Sequence, residues 1–238
     1  MTPRNGVGRV YRNRVLASLP KKEIDRLAPH LSPLQFKQND SLAASGERGP
    51  YGYFLEEGMA SIVTTLTNGN TVEVGVVGQD GVVGIPALLG TCSMPLNTFI
   101  QIAGSGFRIK AERLKEAFEQ PGKLRAHLQR YLQSQFVQVA QSSACNRFHA
   151  AEQRLARWIL MCRDKTGSDY LPLKHEFLGQ MLGTSRSTVT LAAVLLQEEG
   201  LIGYARGKIT VRDRAGLERV ACECYRVIRN ESQRLAVS

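Results

Sequence analysis

The order of apolar and polar positions changes texture along the chain. Residues 11–30 read as a short helical lead-in that stops near Pro29. From Leu31 to about Arg108 the chain turns to short apolar runs broken by glycine. The stretch "YGYFLEEGMASIVTTLTNGNTVEVGVVGQDGVVGIPALLG" holds β-branched segments at 61–66 and 71–77. Asn68-Gly69 lies between these segments and predicts a hairpin, since both residues tolerate positive φ. Glycines at 46, 49, 52, 58, 69, 75, 78, 81, 84 and 90 punctuate the region. Such spacing suits many short strands turning tightly, as in a barrel or jelly roll.

After Lys110 glycine nearly vanishes and the period becomes helical. Residues 111–119 form one helix, ended by Pro121-Gly122, and residues 123–147 a long one. Along the second, Leu124, Leu128, Tyr131, Leu132, Gln135, Val139 and Ser142 keep a three-to-four spacing. A helix of this length between two domains often packs on its own copy. Leu124, Leu128, Tyr131, Gln135 and Val139 are therefore the expected homodimer interface. A further helix at 150–164 turns Leu155, Trp158, Ile159 and Cys162 inward.

The segment "GQMLGTSRSTVTLAAVLLQEEGLI" then reads as two helices broken by a turn. Phe177, Leu178 and Met181 line the inner side of the first, which is expected over 173–181. Val189, Ala192, Ala193 and Leu196 line the second. Gly183 permits the sharp turn, and Ser185 caps the second helix, leaving Arg186, Ser187 and Thr188 in its first turn. Two strands follow at 202–204 and 208–211 around "ARG", then a helical tail. A helix-turn-helix lays its second helix in the major groove and reaches base edges with that helix's N-terminal end. An arginine there can chelate guanine, while hydroxyls and amides hold phosphate. Arg206 and Lys208 would form a wing on the neighbouring DNA backbone.

Charge agrees with this reading without localising it. The 238 residues carry a net charge of +10, and both halves of the chain are positive, which fits a polyanionic partner. No apolar run approaches the roughly 18 residues of a membrane span, and the basic N-terminus lacks the apolar core of a signal peptide. No membrane association is expected, and a cytoplasmic location is. Cysteines at 92, 145, 162, 222 and 224 suggest no disulfide framework.

With these features in place the chain resembles the Crp/Fnr family of bacterial transcription regulators. The likeness runs from about residue 20 to 212 and is strongest in "FLGQMLGTSRSTVT" and "LQEEGLI". It implies an α+β chain: a cyclic-nucleotide-binding-like β-roll or jelly-roll sensor domain over 1–122, a dimerisation helix over 123–148, and a winged helix-turn-helix with a helical extension over 149–238. It also implies a homodimer on double-stranded DNA at a pseudo-palindromic promoter site, often contacting RNA polymerase. Arg186 stands where the family's guanine-reading arginine stands. Ser187 replaces a base-contacting glutamate of many members, and His175 and Thr188 fall at phosphate-contacting positions.

In cyclic-nucleotide-binding members a glutamate holds the ribose, and an arginine with backbone amides holds the cyclic phosphate. Those positions here are Ile85 and about Leu96 and Asn97, and the polar pair on the long helix is Val139 and Ala140. A phosphate facing Leu96 loses its charge-assisted partner. The expectation is that this pocket does not take a cyclic nucleotide and is filled core, with an apolar ligand site as the alternative.

No metal or cofactor is expected. Iron–sulfur members cluster cysteines near the N-terminus, whereas the first here is Cys92. Cys222 and Cys224, two apart on a helix, should face different ways. Cys92 and Cys145 are candidate redox switches, against inert packing as the alternative. Enzymatic function is not expected. "HEFLG" places Gly179 where a zinc motif needs its second histidine. The chain has no Gly-x-Ser-x-Gly elbow and no phosphate-binding loop, and its histidines at 30, 127, 149 and 175 are scattered. The competing reading is a ligand-sensing regulator acting through protein partners rather than DNA. It predicts a nucleotide cassette without a recognition helix, the reverse of this sequence.

Overall fold

The glycine-rich first half becomes strand and the glycine-poor second half becomes helix in the computed structural model of the chain. The structure describes residues 10–91 and 93–237; the side chains of 175, 176 and 235–237 lie outside that description, as does Cys92. The lead-in is α1 (Arg14–Ala17) and α2 (Lys21–Leu27), followed by a 3-10 turn over Ala28–His30. The oxygen of Asn13 caps α1, and its amide donates to the Leu55 and Gly81 carbonyls at 3.0 and 2.9 Å. One buried side chain thus fixes the lead-in to the β domain.

That domain holds β1 (Ser32–Phe36), β2 (Ser41–Ala43), β3 (Tyr51–Leu55), β4 (Met59–Thr65) and β5 (Thr71–Val77). After a short α3 (Ile85–Leu89) come β6 (Asn97–Ile102) and β7 (Gly104–Lys110). The strands form two antiparallel sheets, ordered β1-β7-β3 and β2-β6-β4-β5. Phe54 and Phe107 from one sheet share a core with Ala60, Val77 and Ile100 from the other. The expected hairpin is present as β4–β5, with Thr65 opposite Thr71. Only Gly69 takes a positive φ, of 84°; Asn68 instead uses its side-chain oxygen to accept the Asn70 N–H at 3.0 Å.

After α4 (Ala111–Glu119) the long helix α5 spans Lys123–Phe148. Its N-cap is a glycine, and the carboxylate of Glu23 on α2 supplies the missing acceptor, taking the Lys123 and Leu124 N–H groups at 2.9 Å each. The expected dimer stripe needs correction. Leu124, Leu128, Tyr131 and Gln135 are all buried within one chain, where α5 packs on α1, α4, β5 and the C-terminal helix. They cannot meet a second copy. Val139, the fifth of the set, is 41% exposed.

The C-terminal half comprises α6 (Ala151–Thr166), β8 (Tyr170–Leu171), α7 (His175–Met181), α8 (Arg186–Glu198), β9 (Ile202–Ala205), β10 (Lys208–Val211), α9 (Arg214–Val220) and α10 (Glu223–Val237). The strands form a small antiparallel sheet ordered β8-β10-β9. The core around Trp158, Ile159, Leu178, Val189, Leu196 and Ile209 also takes in Met59, Val63 and Val76 from β4 and β5. The two halves therefore share one apolar seam. Trp158 Nε1–H donates across it to Glu73 at 2.7 Å, and Lys165 pairs with Asp80. A second correction concerns Cys222 and Cys224. Ala221 leaves the helical region at φ −59°, ψ 142°, and α10 starts only at Glu223. Cys222 thus precedes the helix instead of sharing it, and both thiols turn to the same side, toward Cys145.

Candidate nucleic-acid interface

The helix pair is built by local rules that the sequence displays. α7 begins at His175, two residues later than expected, and Leu173 is buried ahead of it. Gly183 turns the chain at φ 58°, a left-handed conformation that a side chain strains. Gly179 serves by size: a Cβ there would stand 3.0 Å from the Thr184 carbonyl, whose own residue donates its N–H back to Gly179 at 2.9 Å. Ser185 caps α8, its Oγ accepting the Thr188 N–H at 3.1 Å. That Oγ also lies 2.8 Å from both the Ser187 and Thr188 hydroxyls.

The first turn of α8 is consequently a cluster of three linked hydroxyls with Arg186 beside them. Ser185, Arg186 and Ser187 are exposed and Thr188 is half-buried. On the opposite side of α8, Val189, Ala192, Ala193 and Leu196 are buried, as the spacing predicts. The hydroxyls and free N–H groups of this turn suit an anion, and the arginine suits a guanine edge. The side chain of His175 lies outside the described residues.

The wing is equally compact. Arg206 (φ 50°) and Gly207 (φ 75°) both take positive φ, making the two-residue turn that antiparallel strands favour. Arg206 at the tip is exposed, and Lys208 stacks its ammonium 5.3 Å from the Tyr170 ring centroid. Both cations thus stand on the small sheet that follows α8.

Two positioning residues give no local signal. Arg154 on α6 is buried and donates to the Leu182 carbonyl at the helix-helix turn, and to Asn146 Oδ1 on α5 at 3.1 Å. It anchors the turn to the end of the long helix. Glu73 does the same work between sheet and α6. Burial is the main influence on its carboxyl, raising its pKa from 4.5 to about 7 against the opposing hydrogen bonds from Ser61 and Trp158 and the charge of Arg157. The half-buried Asp80 goes the other way: desolvation pushes its pKa up, but the Lys165 ammonium overrides this and the net shift is down.

The cavity in the β domain corrects a further expectation, since it is open rather than filled. It has a volume of about 340 Å³ and lies between the two-sheet domain and α5. Ile85, Leu96 and Val139 line it, with Leu132 and Phe136 from α5. Asn97 and Ala140 do not. Asn97 instead accepts the Ser45 N–H at 2.9 Å, and Ala140 is exposed. The only charged side chain among the described lining residues is the carboxylate of Glu47.

A two-sheet β domain, a long helix and a winged helix-turn-helix define a DNA-binding transcription regulator. Residues 33–120 match the family model of the cyclic nucleotide-binding domain, and residues 153–220 match that of the Crp-like helix-turn-helix domain. The chain belongs to the Crp/Fnr family of regulators. It is 26% identical over 201 residues to the transcriptional regulator LdrP of Thermus thermophilus, covering 79% of this chain and 95% of that relative. The structure of FixK2 from Bradyrhizobium japonicum superposes with a TM-score of 0.69 at 18% identity, over 81% of this chain and 98% of that one. A CRP-family transcriptional regulator of Thermus thermophilus, TTHB099, gives 0.65 at 23% identity, over 79% and 96%.

Proposed function

We propose that this regulator works as a homodimer on a pseudo-palindromic site, reading bases with Arg186 and holding phosphates with the hydroxyl turn and the wing. The observation that carries the reading is the first turn of α8, which is capped, exposed and cationic while the inner face of the helix is anchored in the core. Two such turns on a two-fold axis would sit about 34 Å apart on successive major grooves. The dimer seam runs along the free side of α5, through Leu132, Phe136, Val139 and Ser143. These keep a three-to-four spacing, and Phe136 is 75% exposed. The protein acts by binding and not by catalysis. No helix among the described residues is long and apolar enough to cross a membrane, and a DNA target places the work in the cytoplasm. Contact with RNA polymerase at the promoter belongs to the same reading.

The cavity takes a small apolar effector and not a cyclic nucleotide. Its described lining offers no lysine or arginine to a cyclic phosphate, and Glu47 repels one. A ligand shifts an equilibrium only through differential contacts with its two states, so cyclic AMP has no purchase here. Selection of bound sites from a random DNA pool tests the first reading: the recovered sites are expected to show dyad symmetry with half-sites one helical turn apart. Sites without a dyad would overturn it. Calorimetry with millimolar cyclic AMP tests the second, with no saturable heat expected. Saturable binding coupled to tighter operator binding would refute it.

A further inference from the structure

Four side chains that the DNA-binding reading leaves unused meet where the long helix ends. Cys145 lies in the last turn of α5, and His149 is its C-cap residue, four positions on and therefore on the same face. Cys222 lies in the break between α9 and α10, and Cys224 in the first turn of α10. Their ligand atoms all fall within 4.8 Å of one another. Cys145 Sγ is 3.5 Å from Cys222 Sγ, and Cys224 Sγ is 3.6 Å from His149 Nδ1. A tetrahedral ion with metal–sulfur bonds of about 2.3 Å sets its ligand atoms roughly 3.5–4 Å apart. The set is thus sized for one ion. It is too tight to enclose an iron–sulfur core, which spreads its thiolates around several metals.

The surroundings are those of a ligand set. His149 turns Nδ1 to the thiols, while its Nε2 lies 3.2 Å from the Glu223 carboxylate. A carboxylate that takes the second ring N–H fixes the tautomer and ring plane, as the outer partner of a metal-binding histidine does. The three thiols are buried and His149 is mostly so. Three thiolates and a neutral imidazole on a divalent ion leave one net negative charge. Arg154 and Arg157, both buried on α6, act electrostatically on Cys145 and supply compensating positive charge.

We propose that Cys145, His149, Cys222 and Cys224 bind a single zinc ion. Three sulfurs and one imidazole nitrogen in a tetrahedral array select zinc among the common divalent cations, and a closed four-ligand set marks a structural site. Binding forms three zinc–sulfur bonds and one zinc–nitrogen bond, and releases the three thiol protons to solvent. Cys145 and His149 immediately precede the helix-turn-helix unit in sequence, and Cys222 and Cys224 immediately follow it. One ion therefore pins both ends of the DNA-reading unit to the foot of α5. Glu223 is a positioning residue that acts through His149.

Elemental analysis of the full chain, purified under reducing conditions, tests the site directly. The expected content is about one zinc per chain, falling to near zero in Cys145→Ser and in Cys224→Ser and unchanged in Cys92→Ser. Chelator-stripped chain refilled with cobalt(II) is expected to show the intense ligand-field bands of tetrahedral cobalt and thiolate charge-transfer absorption. Glu223→Gln should keep that spectrum with an affinity weakened about 10–100-fold. If the serine variants fail to fold, thiol labelling of the intact wild-type chain decides: zinc release by chelator should expose three additional reactive thiols. Metal content indifferent to Cys145 and Cys224, an iron–sulfur chromophore, or a Cys145–Cys222 disulfide in the reduced preparation would each overturn the proposal.

Discussion

At the scale of single residues, Arg186 stands apart because everything around it is already engaged. Ser185 spends its oxygen on the cap, Thr188 is half-buried against that cap, and Val189 is in the core. Arg186 is exposed on the first turn of α8. Arg186→Ala should therefore lose sequence discrimination of about 1–3 kcal/mol while keeping most non-specific affinity, which spread-out cations supply. Competition between operator and scrambled DNA measures this, and an unchanged ratio would remove Arg186 as the base reader. Lys208→Ala should act differently. It should weaken all sequences alike and lower the salt slope by about one unit. The positions of these residues were legible in the sequence because a cap, a glycine turn and an apolar spacing are local patterns. Arg154 and Glu23 were not, since each serves a backbone group far along the chain: the Leu182 carbonyl and the Lys123 and Leu124 N–H groups.

At the scale of elements, helices α4 and α5 and strands β5 and β10 sit where periodicity put them, but periodicity alone did not separate the two faces of α5. The helix carries two three-to-four stripes, and the expected seam drew on both, taking Leu124, Leu128, Tyr131 and Gln135 from the buried one and Val139 from the free one. Leu124, Leu128 and Tyr131 form the stripe that holds the chain's own β domain. Leu132, Phe136 and Val139 form the free one, which only the packing distinguishes. Cys222 and Cys224 were misread for a related reason, because nothing local in "VACECY" announces the break before Glu223. The two stripes make opposite predictions. Leu128→Ala should lower unfolding stability by about 2–5 kcal/mol through a buried cavity. Phe136→Glu with Val139→Glu should leave monomer folding intact, split the dimer, and cost most of the operator affinity. Sedimentation at micromolar concentration with a denaturation curve separates the two. A double variant that still sediments as a dimer would place the seam elsewhere.

At the scale of the whole molecule, the β domain and the DNA-reading half are joined through a seam in which the carboxyl of Glu73 is buried. An apolar core runs between the two halves, from Val63 and Val76 into Trp158 and Ile159. Glu73 sits in it, faced by Ser61 from β4, by Trp158, Arg157 and Cys162 from α6, and through Ser61 by Gln101 from β6. Ser61 lies between Glu73 and Gln101, and burial raises the Glu73 carboxyl from 4.5 to about 7. The folded chain then holds the carboxyl proton more tightly than the unfolded one. The stabilisation is complete below pH 4.5 and is lost as pH rises through about 7. A shift of this size corresponds to about 3 kcal/mol as an upper figure. Glu73→Gln keeps a neutral amide at every pH and should remove the effect. Urea unfolding of both proteins at pH 5 and pH 8 isolates it, because every other titrating group cancels in the comparison. Wild type should lose up to about 2.5 kcal/mol relative to the glutamine variant between those two pH values. A difference that does not change with pH would mean that Glu73 is ionised throughout and that the seam tolerates its charge.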